Sequence, residues 1–513
     1  MKHLSLVSWL LLGFALLISL LGSGSHSIYI LDEAKNVEAA REMWESSSWF
    51  FPTFNGEPRY DKPPLHYFFF GLAFKLFGVN AFAARFFPAL GGWVCSLLVF
   101  LRVRDRLGEK AANWSLGALI ASLQWGIQFR LAVPDPFLIL FLTATILQLE
   151  AYFSQHQHSK THLRLASVFL GLAFLSKGPI AVVLVLGTVF TYILLQGDYP
   201  KKSWRDFLDP ISIILFCLVA LPWYALVYLY YGADWLEQFI FTHNLSRFSQ
   251  PMEGHGGAFY LPFLFALLGF FPASLILFLP KKNKFEGLRS SPLLVLSGIF
   301  VGVTLIFFSI SSTKLPGYIA PALPFMAVWV GWQVKGLDRV KGFSLISFAM
   351  GIILVAAPLG VAFTKGLQER YWGEELNLTW FFVLWIAVLA AVMVRKNRWQ
   401  VFVFLAVGFG GLKALLFTQV VPQLDQLNPV TLSVPFLEHE ERVYFYQSFN
   451  PAFPFRLQKI IAPWSPDLAP GAIVITEKKH LDSFPAPYEE VFRAKDSFEN
   501  KETVLIRQLS VWP

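Results

Sequence analysis

Cysteine is almost missing from this 513-residue chain, which has two, Cys95 and Cys217. Both sit inside apolar runs, which excludes a disulfide framework and a cysteine-built metal site. Charge is scarce too: Asp, Glu, Lys and Arg make up 15% of the residues, against about 25% in an ordinary soluble domain. Neither the Gly-rich dinucleotide fingerprint nor the P-loop pattern occurs, so the common nucleotide-binding sites are out. The net charge of +8 is spread over short loops, with no long basic tract, which argues against nucleic acid as a partner. No internal repeat is evident, and that weakens a transporter built on inverted halves.

What is present is apolar. The chain is 55% hydrophobic and 17% aromatic, with a mean hydropathy of +0.52. This composition predicts an all-α polytopic membrane protein. A crossing helix needs roughly 20 apolar residues. Thirteen stretches qualify: 4–22, 82–103, 111–130, 136–153, 163–176, 179–196, 208–231, 259–279, 292–311, 316–334, 343–364, 378–394 and 399–420. The first has an apolar core longer than the roughly 7–15 residues of a signal peptide, so it reads as a retained anchor. Segment 63–78 is short, carries His66 and Lys75, and reads as a helix at the membrane surface. With thirteen spans, the basic loops 102–110, 156–164, 199–205, 280–289, 335–341 and 395–398 fall on one side with Lys2. The positive-inside rule makes that side cytoplasmic. Residues 23–81, 232–258, 312–318 and everything after 420 then lie outside. In 421–513, "RVYFYQSF", "GAIVITEKK" and "ETVLIRQL" read as strands of a small α/β outer domain.

The charges gather on that outer side. Asp32 and Glu33 open a helical stretch with Val37, Ala40, Met43 and Trp44 on one face and Glu38, Arg41, Glu42 and Glu45 on the other. It predicts an amphipathic helix on the membrane, with Asp32 at its positive end; the plainer alternative is that Asp32 only caps the helix. Lys62 precedes Pro63-Pro64, which fix the start of the next helix. Asp135 stands between two prolines at the mouth of two spans, where an acid is a functional candidate. Lys177 and Lys314 sit at outer turns followed by proline, Tyr318 follows Lys314, and Arg247 lies in the large outer loop. A guanidinium there suits a phosphate. His243 and His255 share that loop and, with Asp61, are the candidate ligands if a divalent metal is bound, although their spacing matches no compact zinc motif. Cations Lys62, Lys177, Arg247 and Lys314 with acids Asp32 and Asp135, set among aromatics, suit an anionic lipid-linked substrate.

The stretches "PTFNGEPRYDKPPLHYF", "FGVNAFAARFFPAL", "LAVPDPFL", "FLSKGPIAV", "HNLSRF", "KLPGYIAPALP" and "YQSFNPAFPFRL" resemble, in the same order, the bacterial 4-amino-4-deoxy-L-arabinose lipid A transferases, relatives of the protein O-mannosyltransferases. The resemblance implies the C-type glycosyltransferase fold in the bacterial inner membrane. It also implies a polyprenyl-phosphate sugar donor, undecaprenyl-linked, used on the periplasmic side with a lipid or protein acceptor. It puts catalytic acids at Asp32 and Asp135, with Glu33 beside them, and donor-phosphate contacts at Lys62, Arg247, Lys314 and Tyr318. Two departures bear on the acceptor: Asp61 stands where the family often has Glu, and the tail is shorter. One base and no evident covalent nucleophile favour inversion. The rival reading, a multi-span lipid or sugar transporter, does not explain charges gathered on one face, since transporters bind near mid-membrane.

Overall fold

The computed structural model describes residues 4–154, 160–195, 204–239, 246, 256–278, 291–334, 398–496 and 501–510. The expected spans 343–364 and 378–394, together with Arg247, His243 and His255, lie outside them.

Helix α1 (Leu6–Leu20) starts at Ser5, whose side chain accepts from the Ser8 N–H. Helices α4 (Ala81–Leu107), α5 (Glu109–Ala121), α7 (Asp135–Ser154), α8 (Thr161–Lys177) and α9 (Ile180–Leu195) build the bundle. Every residue of α5 from Ala111 to Ala121 is buried, which makes it an inner helix rather than a lipid-facing one. By contrast, α9 turns Leu186, Phe190, Leu194 and Leu195 outward, the surface a lipid-facing helix needs.

Three described helices are long and apolar enough to cross a membrane on their own: α4, α7 and Pro292–Ile310. Several other expected spans are broken. The stretch 111–130 divides at Ser122, because the Ser122 side chain caps α6 (Leu123–Gln128) by accepting from the Trp125 N–H. The stretch 208–231 bends by 46° between α10 (Pro210–Ala220) and α11 (Pro222–Tyr231), since a proline cannot continue the hydrogen-bond ladder. The stretch 316–334 begins as a 3-10 helix, Pro316–Ala322, before becoming α-helical over Leu323–Val334.

At one end of the bundle Glu150, 1% exposed, holds Arg102 at 3.3 Å and Arg106 at 3.0 Å. There Asp209 holds Lys160 and Arg164 at 3.1 and 3.2 Å. Four basic residues of these two loops, Arg102, Arg106, Lys160 and Arg164, are thus fastened by buried acids.

At the other end lie α2 (Leu31–Glu45), the hairpin β1–β2 (Thr53–Phe54 and Glu57–Pro58) and α3 (Leu65–Phe77). Asn55 and Gly56 both take positive φ, 53° and 81°, as a two-residue hairpin turn requires. The tail forms a five-stranded sheet of order β4-β3-β5-β7-β6, from β3 (Val443–Phe445), β4 (Ala462–Pro463), β5 (Ile473–Glu477), β6 (Tyr488–Lys495) and β7 (Glu502–Gln508). β3 is parallel to both β4 and β5, while β5–β7 and β6–β7 are antiparallel. All three stretches expected as strands are strands.

The expected surface helix at 32–45 is not amphipathic in the fold. Glu38, Arg41 and Glu42 are as buried as Val37 and Ala40. One core joins Val37 and Ala40 of α2, Phe70 and Phe74 of α3, and Phe453, Ile473 and Leu505 of the tail. The tail therefore packs on the apolar face of α2, while the face that the sequence pattern assigns to water is buried as well. The buried charges are paired: Arg41 bonds Glu38 through two nitrogens at 2.5 and 2.8 Å, and Glu42 accepts from Thr53 and from the Asn55 and Gly56 N–H groups of the hairpin turn.

Candidate active site

Helix α7 begins at Asp135 and α8 ends at Lys177. An acid at the start of a helix and a base at the end of another each meet the favourable pole of the backbone dipole. The two meet at 2.6 Å. Lys177 also lies 5.0 Å above the Tyr318 ring, which packs on Phe308. Gly178 stops α8 at φ 76°; a Cβ there would come within 2.6 Å of the Phe239 ring, so both backbone and space require glycine.

These groups rim a cavity of about 310 Å3 lined also by Asp61 and Lys62. Below the rim its wall is apolar: Leu138, Ile180, Val183, Leu184, Phe307 and Pro321 among others. Lys62 is 8% exposed and Lys314 9%. Lys314 donates to the Ser311 carbonyl at 2.7 Å, and Ser311 lines the cavity. The fold thus gathers Asp61, Lys62, Asp135, Lys177 and Tyr318, with Lys314 behind them.

Asp32 stands off this rim, in the first turn of α2. It is not the cap: that position is Ile30, and no side chain caps the helix. Glu33 is part of the frame. Its two oxygens take Arg85 Nε and Nη2 at 2.7 Å each, and one also accepts the Ala132 N–H at 2.8 Å. Arg85 donates further to the carbonyls of Ser23, His26 and Ser27. This buried pair ties α2 to α4 and to the loop that delivers Asp135, which moves Glu33 from chemistry to support.

Sequence reasoning passes over the link between Asp32 and Lys62. Asn36, one turn after Asp32, accepts from Arg59 Nη2 at 3.1 Å and lies 3.3 Å from His66 Nε2 and 3.4 Å from the Tyr67 hydroxyl. Arg59 also grips both oxygens of Asp61, at 2.6 and 3.0 Å. Burial, with the charges of Arg59 and Lys62, holds the His66 imidazole well below its usual pKa, and burial pushes the Tyr67 phenol up. Both are therefore neutral hydrogen-bonding groups at pH 7. The signal was the density of polar residues in "EPRYDKPPLHY"; the pairing depends on two helices meeting. Among the described residues no three of His, Cys, Asp and Glu gather as metal ligands, and Asp61 is engaged by Arg59.

The model of the dolichyl-phosphate-mannose-protein mannosyltransferase family matches residues 61–225, which include Asp61, Lys62, Asp135 and Lys177. The undecaprenyl phosphate-alpha-4-amino-4-deoxy-L-arabinose arabinosyl transferase 2 of Pseudomonas fluorescens is 30% identical over 387 residues, covering 72% of this chain and 67% of that protein. The corresponding transferase of Yersinia pestis is 26% identical over 421 residues, 75% of this chain and 72% of its own. In fold the chain is similar to the crystal structure of ArnT from Cupriavidus metallidurans bound to undecaprenyl phosphate, with a TM-score of 0.81, 19% identity and 98% of each chain covered. The helical bundle and the small sheet fit the expected C-type fold, and the chain belongs to the aminoarabinose-transferase family of membrane glycosyltransferases.

Proposed function

We propose that this protein transfers a sugar from an undecaprenyl-phosphate donor to an acceptor on the periplasmic face of the bacterial inner membrane. One observation carries the reading: a rim of charge, Lys62, Asp135 and Lys177, stands over an apolar shaft between α7, α9 and the helix Pro292–Ile310. That is the shape of a lipid phosphate, with an anionic head and a hydrocarbon stem. A transporter site would sit at mid-membrane, whereas this charge gathers at the end of the bundle that carries the tail sheet. The positive-inside pattern of the loops supports that end being the outer one.

In the reaction we infer, Lys62 and Lys177, with Arg247 and Lys314, stabilise the charge that grows on the leaving phosphate. Asp135 holds Lys177 in place. The bond from the anomeric carbon to the phosphate oxygen breaks as the acceptor oxygen attacks from the opposite face, so the anomeric centre inverts. Asp32 takes the acceptor's proton, or orients an acceptor that is itself a phosphate. Arg59, Asn36 and His66 fix α2 against α3, and with it the distance between base and phosphate site.

The test is sugar transfer from a purified undecaprenyl-phosphate donor. Asp32→Asn should lower turnover by about 10²–10⁴, the range for losing a general base, and leave undecaprenyl phosphate binding intact. Near-normal turnover would remove Asp32 from the chemistry and move the base to Asp135.

A further inference from the structure

An apolar groove of about 400 Å3 runs along the bundle at the end away from the charged rim. Phe141, Ala144 and Leu147 of α7 form its floor, Leu98 and Leu101 of α4 one wall, and Phe169 of α8 the other. The positions on α4 and α7 recur every three or four residues, so one face of each helix builds the groove. Its polar lining, Arg102, Asp105 and Gln148, lies toward the C-terminal ends of α4 and α7. From Leu140 to Gln148 the groove is about 12 Å long, against about 15 Å of hydrocarbon in one leaflet. It has an apolar stem and a polar head, like the shaft below Asp135, but its head lies about 20 Å further along α7.

The head end carries more cation than acid. Glu150 shares one negative charge between Arg102 at 3.3 Å and Arg106 at 3.0 Å, and Asp105 faces Arg104 at 3.3 Å. Among the described residues, three guanidiniums there meet two carboxylates. Arg102 is the one that lines the groove. It donates to the Leu147 carbonyl at 3.3 Å, while the Glu150 oxygen facing it accepts no hydrogen bond. A guanidinium has five N–H donors, so Arg102 keeps donors for a further acceptor. Gln148 Oε1 lies 2.7 Å from His162 Nδ1, which leaves its amide nitrogen as another donor.

We infer that this groove holds an anionic glycerophospholipid of the cytoplasmic leaflet, with an acyl chain lying on α7 between α4 and α8 and its phosphodiester at Arg102. The basic loops 102–110 and 156–164 favour the cytoplasmic side for this end, and basic pockets between membrane helices on that side take anionic headgroups. The charge-assisted bond to a guanidinium selects the phosphate. The lipid joins α7 to α8 at the ends opposite Asp135 and Lys177, so it braces from below the two helices that form the charged rim. The inference needs the bundle to sit in a membrane and is independent of the transferase reading. Undecaprenyl phosphate has a head and stem of the same kind, and the experiment separates the two lipids.

The experiment is native mass spectrometry of the full-length protein, delipidated in detergent and titrated with dioleoyl-phosphatidylglycerol, with zwitterionic dioleoyl-phosphatidylcholine and with undecaprenyl phosphate. Wild type should retain one phosphatidylglycerol at least about tenfold more tightly than phosphatidylcholine. Arg102→Gln should erase that preference. Leu98→Trp, which fills the groove and leaves the ion pairs in place, should weaken both phospholipids at least about tenfold. Asp105→Asn changes an exposed side chain, removes a competing carboxylate and should tighten phosphatidylglycerol. All three variants should bind undecaprenyl phosphate as wild type does, which also shows that they are folded. Equal retention of the two phospholipids by wild type, or undiminished phosphatidylglycerol binding by Leu98→Trp, would overturn the inference. So would one-for-one displacement of phosphatidylglycerol by undecaprenyl phosphate, which would make the groove part of the donor's path.

Discussion

His66 shows how a single residue's surroundings set its behaviour. It is fully buried between Asn36 and Phe70, and burial holds it neutral far below its ordinary pKa of 6.5. In the unfolded chain it takes a proton near pH 6.5, so unfolding binds a proton that the folded protein refuses. Stability is therefore complete above about pH 6.5 and is lost as pH falls below it, by up to about 1.4 kcal/mol per pH unit. Denaturant titrations of wild type and His66→Gln between pH 7 and pH 5 should show a shallower acid slope in the variant; equal slopes would mean that His66 is accessible to protons. Single residues were partly legible in the sequence. Lys62, Asp135, Lys177 and Tyr318 could be picked out because cations and acids beside prolines at span ends are conspicuous, and they do converge. Their pairing could not, because the 2.6 Å contact between Lys177 and Asp135 joins positions 42 residues apart.

At the scale of elements, α2 was legible as a helix and misread as a surface. Its pattern has an apolar and a charged face, and such a pattern says only that two environments differ. The second environment is interior as well, where Glu38 and Arg41 are buried as a pair and Glu42 takes the hairpin turn. Glu33 was likewise read as an acid near the chemistry, when its partner Arg85 lies 52 residues away on α4. Because this pair is 1% exposed on both sides, removing one partner leaves a buried charge unmatched. Arg85→Met should destabilise the protein by about 3–5 kcal/mol, whereas Glu33→Met with Arg85→Met together should recover part of that loss. Thermal melts of the three variants check this; a double variant no better than Arg85→Met would mean the pair is held by its backbone partners rather than by charge. The broken spans have a similar lesson. Hydropathy reads 111–130 and 208–231 each as one unbroken apolar stretch, and it carries no signal of the breaks at Ser122 and Pro222, where one helix ends and the next starts.

For the whole molecule, the strands of the tail were legible because strand alternation is a local signal. The shared core of tail and α2 was not legible, since it gathers Val37, Ile473 and Leu505 into one cluster from opposite ends of the chain. Deleting residues 421–513 should therefore strip the cover from α2, and limited proteolysis should then cut within 31–60 while the bundle stays intact. Uncut α2 in the shortened chain would make the tail an independent appendage. The central claim is that the charged rim made by the segment before α3, by α7 and α8, and by the 3-10 helix Pro316–Ala322 holds a lipid phosphate. Its most direct test is the dissociation constant of undecaprenyl phosphate for the purified protein, Lys62→Ala and Lys177→Ala. Loss of one charge-assisted hydrogen bond removes about 1.5–3 kcal/mol, so each variant should bind roughly 10–100-fold more weakly. Affinities equal to wild type in both would contradict the account.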